Sequence, residues 1–269
     1  MSEPSLNELG PPVDWQGCEV DCAGCSRQGL LAQEGCRVGL ACVNDRYAKR
    51  IDRFFFWNPE LAKEYLAHPY FEVRAVAAKY VDVFHLPQLI LDEDETVRWS
   101  AALRLPPKHL LALVCDPHRE VRIRVASRLD PHDLNSMIHD PDYYVRQVVA
   151  RRLPESLLTQ MMRDEDAEVR HMVASRIGDA WLPGMAKDKD AAVRCEVARR
   201  MKDGALHLLL DDPDWRVRYE VASRAEHQHV KRLVNDEDEF VRDAARQRLN
   251  KDAAGVSRLV THKQACQLF

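Results

Sequence analysis

The chain has no apolar run long enough to cross a membrane. Its clean hydrophobic stretches, such as Leu110 to Cys115, fall far short of the roughly 18–20 residues that a spanning helix needs. The first residues, Met1 to Gly17, are acidic and lack the apolar core of a secretory signal, so the expected compartment is the cytoplasm. There thiols stay reduced, and clustered cysteines read as metal ligands rather than disulfides. Charge of one sign is also missing: 39 Lys and Arg face 43 Asp and Glu, for a net −4. That balance gives no support for binding nucleic acid or an acidic membrane. Usual marks of catalysis are absent as well. There is no glycine loop to cradle phosphate, no H-E-x-x-H and no nucleophile elbow, so no enzyme is expected.

What is present is a repeat. A Val-Arg dipeptide recurs every 24 residues, eight times in phase, from Val73-Arg74 through Val145-Arg146 to Val241-Arg242. A fixed period in this range marks a solenoid, in which each repeat buries its apolar face against its neighbours. With the valine at position 0, positions +4 and +8 are apolar in all eight repeats, and +5 is Ala in seven, from Ala78 to Ala222. These positions share one helical face. Asp stands five residues before the valine in seven repeats, as Asp92, Asp116, Asp140, Asp164, Asp188, Asp212 and Asp236, and three times it precedes Pro. Asp then Pro reads as N-cap then first helical residue, which predicts a helix such as Pro141 to Leu153. A second apolar segment at +13, +16 and +17 is short enough for a 3₁₀ helix. The fold class is all-α: a helical-repeat solenoid of one α-helix and one short 3₁₀ helix per repeat.

The arginine after each valine has a carboxylate within reach. Six repeats place Asp three residues before the valine, and Asp and Arg four apart share a helix face. The expected arrangement is a ladder of Asp–Arg pairs near the helix starts, for Arg146 with Asp142 or with an Asp of a neighbouring repeat, rather than a stripe for phosphates. A second arginine row at +7, including Arg104, Arg128, Arg176, Arg200 and Arg224, lacks so regular a partner. Its stems should cover apolar surface while its heads reach solvent. This row is the expected place for any acidic partner.

The remaining chemistry sits near the N-terminus. Five of the eight cysteines, Cys18, Cys22, Cys25, Cys36 and Cys42, fall within 25 residues, spaced C-x3-C-x2-C-x10-C-x5-C. Four thiolates hold either a structural zinc or an iron–sulfur cluster, and no His lies in this segment. A zinc ribbon pairs two C-x2-C knuckles, and only one is present, which favours a cubane cluster on spacing. The first three cysteines also mimic the motif of radical S-adenosylmethionine enzymes, but Gly24 stands where those carry an aromatic, and no α/β barrel is available. Gly24 and Gly35 are placed to let backbone amides approach sulfur. Cys115, Cys195 and Cys266 are isolated and read as buried spectators.

The segments Asp21-Cys22-Ala23-Gly24-Cys25, Gly35-Cys36-Arg37-Val38-Gly39-Leu40-Ala41-Cys42-Val43 and Asp45 to Phe55 resemble the N-terminal domain of the leucine-rich repeat variant (LRV) iron–sulfur proteins. The 24-residue repeats match the same family, so the resemblance covers about residues 15–250. It implies a [4Fe–4S] cluster domain, then α and 3₁₀ helices alternating in a right-handed superhelix, and an association with nitrogen-fixing bacteria. Its cysteine pattern maps onto Cys22, Cys25, Cys36 and Cys42, with Cys18 an extra cysteine.

The expected organisation is a cysteine-rich domain over 1–60, with a flexible start, repeats over 61–250, and a cap or tail over 251–269. A helix from Asp45 to Trp57, with Tyr47, Ile51, Phe54 and Phe55 at helical spacing, should join the first two and cover the first repeat. The expected function is a monomeric iron–sulfur scaffold, redox-active or redox-sensing, that binds a protein partner on its superhelical surface. The alternatives are an adaptor with a purely structural cluster or zinc, and a nucleic-acid-binding superhelix.

Overall fold

A computed structural model of the chain describes residues 11–250. The cap or tail expected over 251–269 lies outside the described residues. Two compact units divide the chain, Met1–Ser136 and Met137–Phe269. Among the described residues no strand forms beyond two isolated antiparallel bridges, Val13 with Glu19 and Arg37 with Ala41, and no helix is long and apolar enough to cross a membrane.

The first unit runs through α1 (Gln28–Ala32), α2 (Ala48–Trp57), a 3₁₀ helix (Pro59–Tyr65), α3 (Phe71–Tyr80), a second 3₁₀ helix (Val83–Leu91), α4 (Glu95–Ala102), α5 (Pro107–Leu110) with a 3₁₀ turn at Leu111–Leu113, and α6 (Arg119–Arg128). In the second unit α7 (Tyr143–Arg152), α8 (Ala167–Ala174), α9 (Ala191–Arg200) and α10 (Trp215–Arg224) alternate with 3₁₀ helices at Glu155–Met161, Asp179–Met185 and Asp203–Leu209. It closes with α11 (His227–Leu233) and a helix over 239–250. Each repeat is thus one α-helix and one short second helix, usually 3₁₀, as the period requires.

The core is the face that the periodicity marks. Val145, Val149, Ala150 and Leu153 of one repeat are fully buried, and so are Val169, Val173, Ala174 and Ile177 of the next. Leu158, Met161, Leu182 and Met185 close the other side from the 3₁₀ helices. Alanine at +5 leaves room for the neighbouring helix to approach.

The helix starts differ from expectation. The N-cap is the Asp three before the valine, not the one five before it. Asp142 accepts from the N–H groups of Tyr144 and Val145, and Asp166, Asp190 and Asp214 cap α8, α9 and α10 in the same way. Helix α7 therefore opens at Tyr143 rather than Pro141. The earlier Asp is occupied elsewhere. Asp164 takes both prongs of the Arg146 guanidinium, Nε at 2.8 Å and Nη2 at 3.0 Å, across 18 residues. The same bidentate pair joins Arg74 to Asp92 and Arg98 to Asp116 in the first unit. It joins Arg170 to Asp188, Arg194 to Asp212 and Arg218 to Asp236 in the second. The ladder ties repeat to repeat, as expected, but its rungs skip the Asp four residues back. That Asp is committed to the cap.

The second arginine row also departs from expectation, because its heads do not face solvent. Arg104 Nη1 donates to the carbonyls of Ala78 and Val81, Arg128 Nη1 to Ala102 and Leu105, and Arg176 Nη1 to Ala150 and Leu153. Arg200 and Arg224 do the same to Ala174 and Ala198. Carbonyls in the last turn of a helix have no partner in that helix and carry its negative pole, so a cation from the next repeat stabilises them.

Helix α2 starts at Ala48, three residues later than Asp45, because the Asp45 carboxylate is drawn to the Tyr47 N–H and to Arg50. It buries Ile51, Phe54 and Phe55. Phe55 lies edge-on to Tyr65 at 5.5 Å and stacks on Tyr80 of α3 at 6.2 Å. The first repeat is therefore covered by α2, as a solenoid end requires.

Three outcomes are expected. Ala150→Leu should overpack the approach of α7 to α8 and cost about 1–3 kcal/mol; an unchanged melting curve would contradict this packing. Arg170→Ala leaves Asp188 buried without its cation and should cost about 3–5 kcal/mol in chemical denaturation. Burial works against ionising Asp236, but the hydrogen bonds it accepts from Arg218 and the Asp238 amide outweigh that, and its carboxyl sits below the ordinary 3.8. Its contribution is then fully present above that value and is lost as pH falls through the depressed one. Asp236→Asn should make stability fall less steeply with pH below about 4, read from denaturation midpoints across an acid series.

Candidate metal centre

The cysteines stand on two small hairpins and a turn. In the first turn the Asp21 carboxylate accepts the N–H groups of Ala23 (2.8 Å) and Gly24 (3.1 Å), folding the chain between Cys22 and Cys25. The Cys25 N–H donates to the Cys22 carbonyl, and the Gln28 N–H to the Cys25 carbonyl to begin α1. Glycine at 24 leaves space for the Asp21 carboxylate: a Cβ there would stand 2.8 Å from Asp21 Oδ2 and push it from its two amides. Between Cys36 and Cys42 the chain reverses through a tight hairpin. Arg37 and Ala41 exchange both backbone hydrogen bonds at 2.8 Å, and Gly39 takes the left-handed conformation (φ +73°) that the turn needs. The Cys42 N–H then donates to the Arg50 carbonyl, which seats this hairpin on α2.

These two elements bring Cys22, Cys25, Cys36 and Cys42 to the wall of one recess, whose apolar lining includes Val20, Leu31, Val38 and Ala41. Cys42 is buried, and the other three are partly covered. Cys18 is exposed and does not line the recess. It closes a separate turn with Asp14, whose carboxylate and N–H bond the Cys18 N–H and carbonyl. Among the described residues no three His, Cys, Asp or Glu side chains converge on a point that would hold a single metal ion. The four thiols are ranged around a recess instead.

Burial pushes the Cys42 thiol up to about 11; a hydrogen bond from the Asn44 backbone eases it, while Asp45, Cys22 and Cys25 add to the rise. Burial, then Cys22 and Cys25, push Cys36 up as well. The Cys36 and Cys42 thiols therefore resist ionising beside their neighbours. A cation between them relieves that repulsion, which is the electrostatic condition for a metal-thiolate site. The donors to sulfur are not the glycine amides expected from sequence. Gly24 N–H is taken by Asp21, and Gly35 N–H by the Leu30 carbonyl. Cys25 Sγ instead accepts the Arg27 N–H and the Asn44 side-chain amide, each at 3.4 Å. Asn44 and Arg27, each two residues past a cysteine, carry no motif that would mark them.

Behind the recess the support is polar and buried. Asp45 and Arg50 form an ion pair at 2.9 Å with almost no exposure. Asn58 Nδ2 donates to the carbonyls of Gly35 (2.7 Å) and Phe54 (2.8 Å), tying the residue before Cys36 to the end of α2. Outside this domain Cys195 is buried as expected, but Cys115 is exposed, and Cys266 lies outside the described residues.

Residues 12–64 match a family profile described as the LRV protein FeS4 cluster. A Rhodobacter capsulatus protein, described as an uncharacterized 27.7 kDa protein in the nifB 3′ region, is 56% identical over 98 residues. That match takes in 36% of this chain and 40% of the relative's length. A solved structure described as a leucine-rich repeat variant with a novel repetitive protein structural motif is 44% identical, with a TM-score of 0.80. It is matched over 86% of this chain and 99% of its own.

Proposed function

The chain belongs to the leucine-rich repeat variant family of cluster-binding repeat proteins, and we propose that Cys22, Cys25, Cys36 and Cys42 hold one [4Fe–4S] cluster in a redox-responsive cap on a protein-binding scaffold. One observation carries the ligand set: these four thiols share a recess that the exposed Cys18 does not line. Such a cluster, when bound, supplies a reducible centre whose potential depends on charge, hydrogen bonds to sulfur and exposure to solvent. The chain's own residues act on the last two of these. Arg27 and Asn44 supply hydrogen bonds to Cys25 Sγ. Val20, Leu31, Val38 and Ala41 limit the access of water.

The scaffold reading draws on the arginine ladders. Their guanidinium heads are committed to Asp carboxylates and helix-end carbonyls, which leaves neither row disposed for phosphate or for an acidic partner. We read the repeats as a monomeric surface for a protein rather than for nucleic acid or membrane, in a cytoplasmic binding protein and not an enzyme. The implied tie to nitrogen-fixing bacteria is carried by the name of the Rhodobacter capsulatus relative, which places it in the nifB 3′ region. A structural cluster is the second reading. It is favoured by the capping role of the same domain, since α2 covers the first repeat.

The test is anaerobic purification with iron, sulfide and zinc analysis, followed by a redox titration. The expected protein is coloured, holds four irons per chain, and bleaches reversibly with reductant. Serine at position 22, 25, 36 or 42 should lose or destabilise the cluster, while Cys18→Ser keeps it. One zinc in a colourless protein overturns the redox reading. Iron without reversible reduction selects the structural one. Loss of iron from Cys18→Ser alone overturns the ligand set.

A further inference from the structure

Two residues past Cys25 the chain reaches across to the first repeat. Arg27 precedes α1, where its backbone N–H donates to Cys25 Sγ at 3.4 Å. Its side chain runs the other way. Nε donates to the Tyr65 phenol oxygen at 3.0 Å, and Nη2 pairs with the Glu64 carboxylate. Glu64 and Tyr65 end the 3₁₀ helix Pro59–Tyr65, which packs against both α2 and α3. Tyr65 lies edge-on to Phe54 at 6.1 Å and to Phe55 at 5.5 Å, and Phe55 stacks on Tyr80 of α3. One residue therefore has its backbone on a candidate ligand and its side chain on the aromatic core that carries the first repeat.

We propose that Arg27, gripped by Glu64 and Tyr65, is the positioning residue that couples occupancy of the cysteine recess to the order of the first repeat. The inference rests on the reading that the recess holds a cluster. The Cys22–Cys25 turn is held by local and mostly long contacts: a carboxylate on two amides, a backbone bond of 3.4 Å, the Gln28 N–H on the Cys25 carbonyl, and two donors to Cys25 Sγ at 3.4 Å. Ligation of both cysteines fixes the turn and presents Arg27 at one angle to its partners. An empty recess frees the turn, and the ionic grip on residues 64 and 65 goes with it. Other links from the recess, Asn58 to the Gly35 carbonyl, the Cys42 N–H to the Arg50 carbonyl and Arg53 to the Leu40 carbonyl, serve the Cys36–Cys42 hairpin rather than the Cys22–Cys25 turn.

The experiment compares hydrogen exchange in full-length protein loaded anaerobically with iron and sulfide and in the same protein stripped by chelation. It is run on the wild type and on the Glu64→Gln/Tyr65→Phe double variant. In the wild type the amides over 59–66 should exchange roughly tenfold more slowly when loaded, the scale of one charged hydrogen bond. In the double variant iron and sulfide content should be unchanged, and the difference should vanish. A wild type with no loading-dependent difference at 59–66, or a double variant that keeps it, overturns the coupling and leaves the cluster reading intact. A wild type that takes up no iron overturns both, and the metal analysis separates that case before exchange is read.

Discussion

The fold depends on a bidentate arginine–aspartate contact that reaches from one repeat into the next. Arg170 shows its full extent. Nε and Nη2 clamp Asp188, while Nη1 donates to the carbonyls of Asp164 and Glu165 at the end of the preceding turn. Asp188 in turn accepts the Asp190 N–H, and Asp190 caps α9. One guanidinium thus orders a turn on its own side, a turn on the far side and, through that, the start of the next helix. A buried ion pair alone is a weak source of stability, since desolvation offsets the attraction. Here all three nitrogens of the guanidinium and both oxygens of the carboxylate have partners, which is the condition under which such a pair holds. The valine beside each arginine supplies the apolar half of the contact.

The N-terminal domain meets this scheme with substitutions rather than with another repeat. No Val-Arg precedes Val73-Arg74, and in the first repeat His68 stands where the others have Asp. Its Nδ1 accepts the Tyr70 N–H at 3.1 Å, as an Asp carboxylate does in the later repeats, and its carbonyl accepts from Arg74. Burial holds this imidazole below its ordinary pKa and so favours the neutral acceptor. The arginine 18 residues earlier, Arg50, is paired with Asp45 instead. The pairing of Asp45 with Arg50, and the aromatic contacts of Phe55 and Tyr65, supply the cohesion that the ladder provides elsewhere.

The core of the repeats is legible in the chain because a strict period and a helical wheel need only local geometry. Val145, Val149, Ala150 and Leu153 follow from spacing alone. The caps and rungs mislead for one shared reason: Asp-Pro looks like N-cap and first turn, and an Asp four residues from an Arg looks like its partner. Both rules consider one helix in isolation. The signal against them is present in the chain. The single repeat without Asp at the fifth place before its valine is also the one with no Val-Arg ahead of it, so the two residues belong to each other across the repeat boundary. Likewise the +7 arginines lie at the edge of the buried stripe on a helical wheel, where a long side chain is free to carry its head to solvent, whereas the partners they find are backbone groups, which no side-chain pattern displays. The cysteine spacing points to four thiols, but Arg27, Asn44 and Asn58 act through backbone proximity and have no periodicity to expose them.

The 18-residue reach of each arginine has a genetic corollary. A whole 24-residue period removed from or added within a stack keeps the 18-residue spacing of the Arg–Asp rungs on either side of it. An insertion of any other length in the rung between Arg170 and Asp188 strands both ends. Such a gene tolerates unequal exchange between its own repeats and resists ordinary small insertions within the span of a rung. Repeat number is then the quantity free to drift, while the length of each repeat is held.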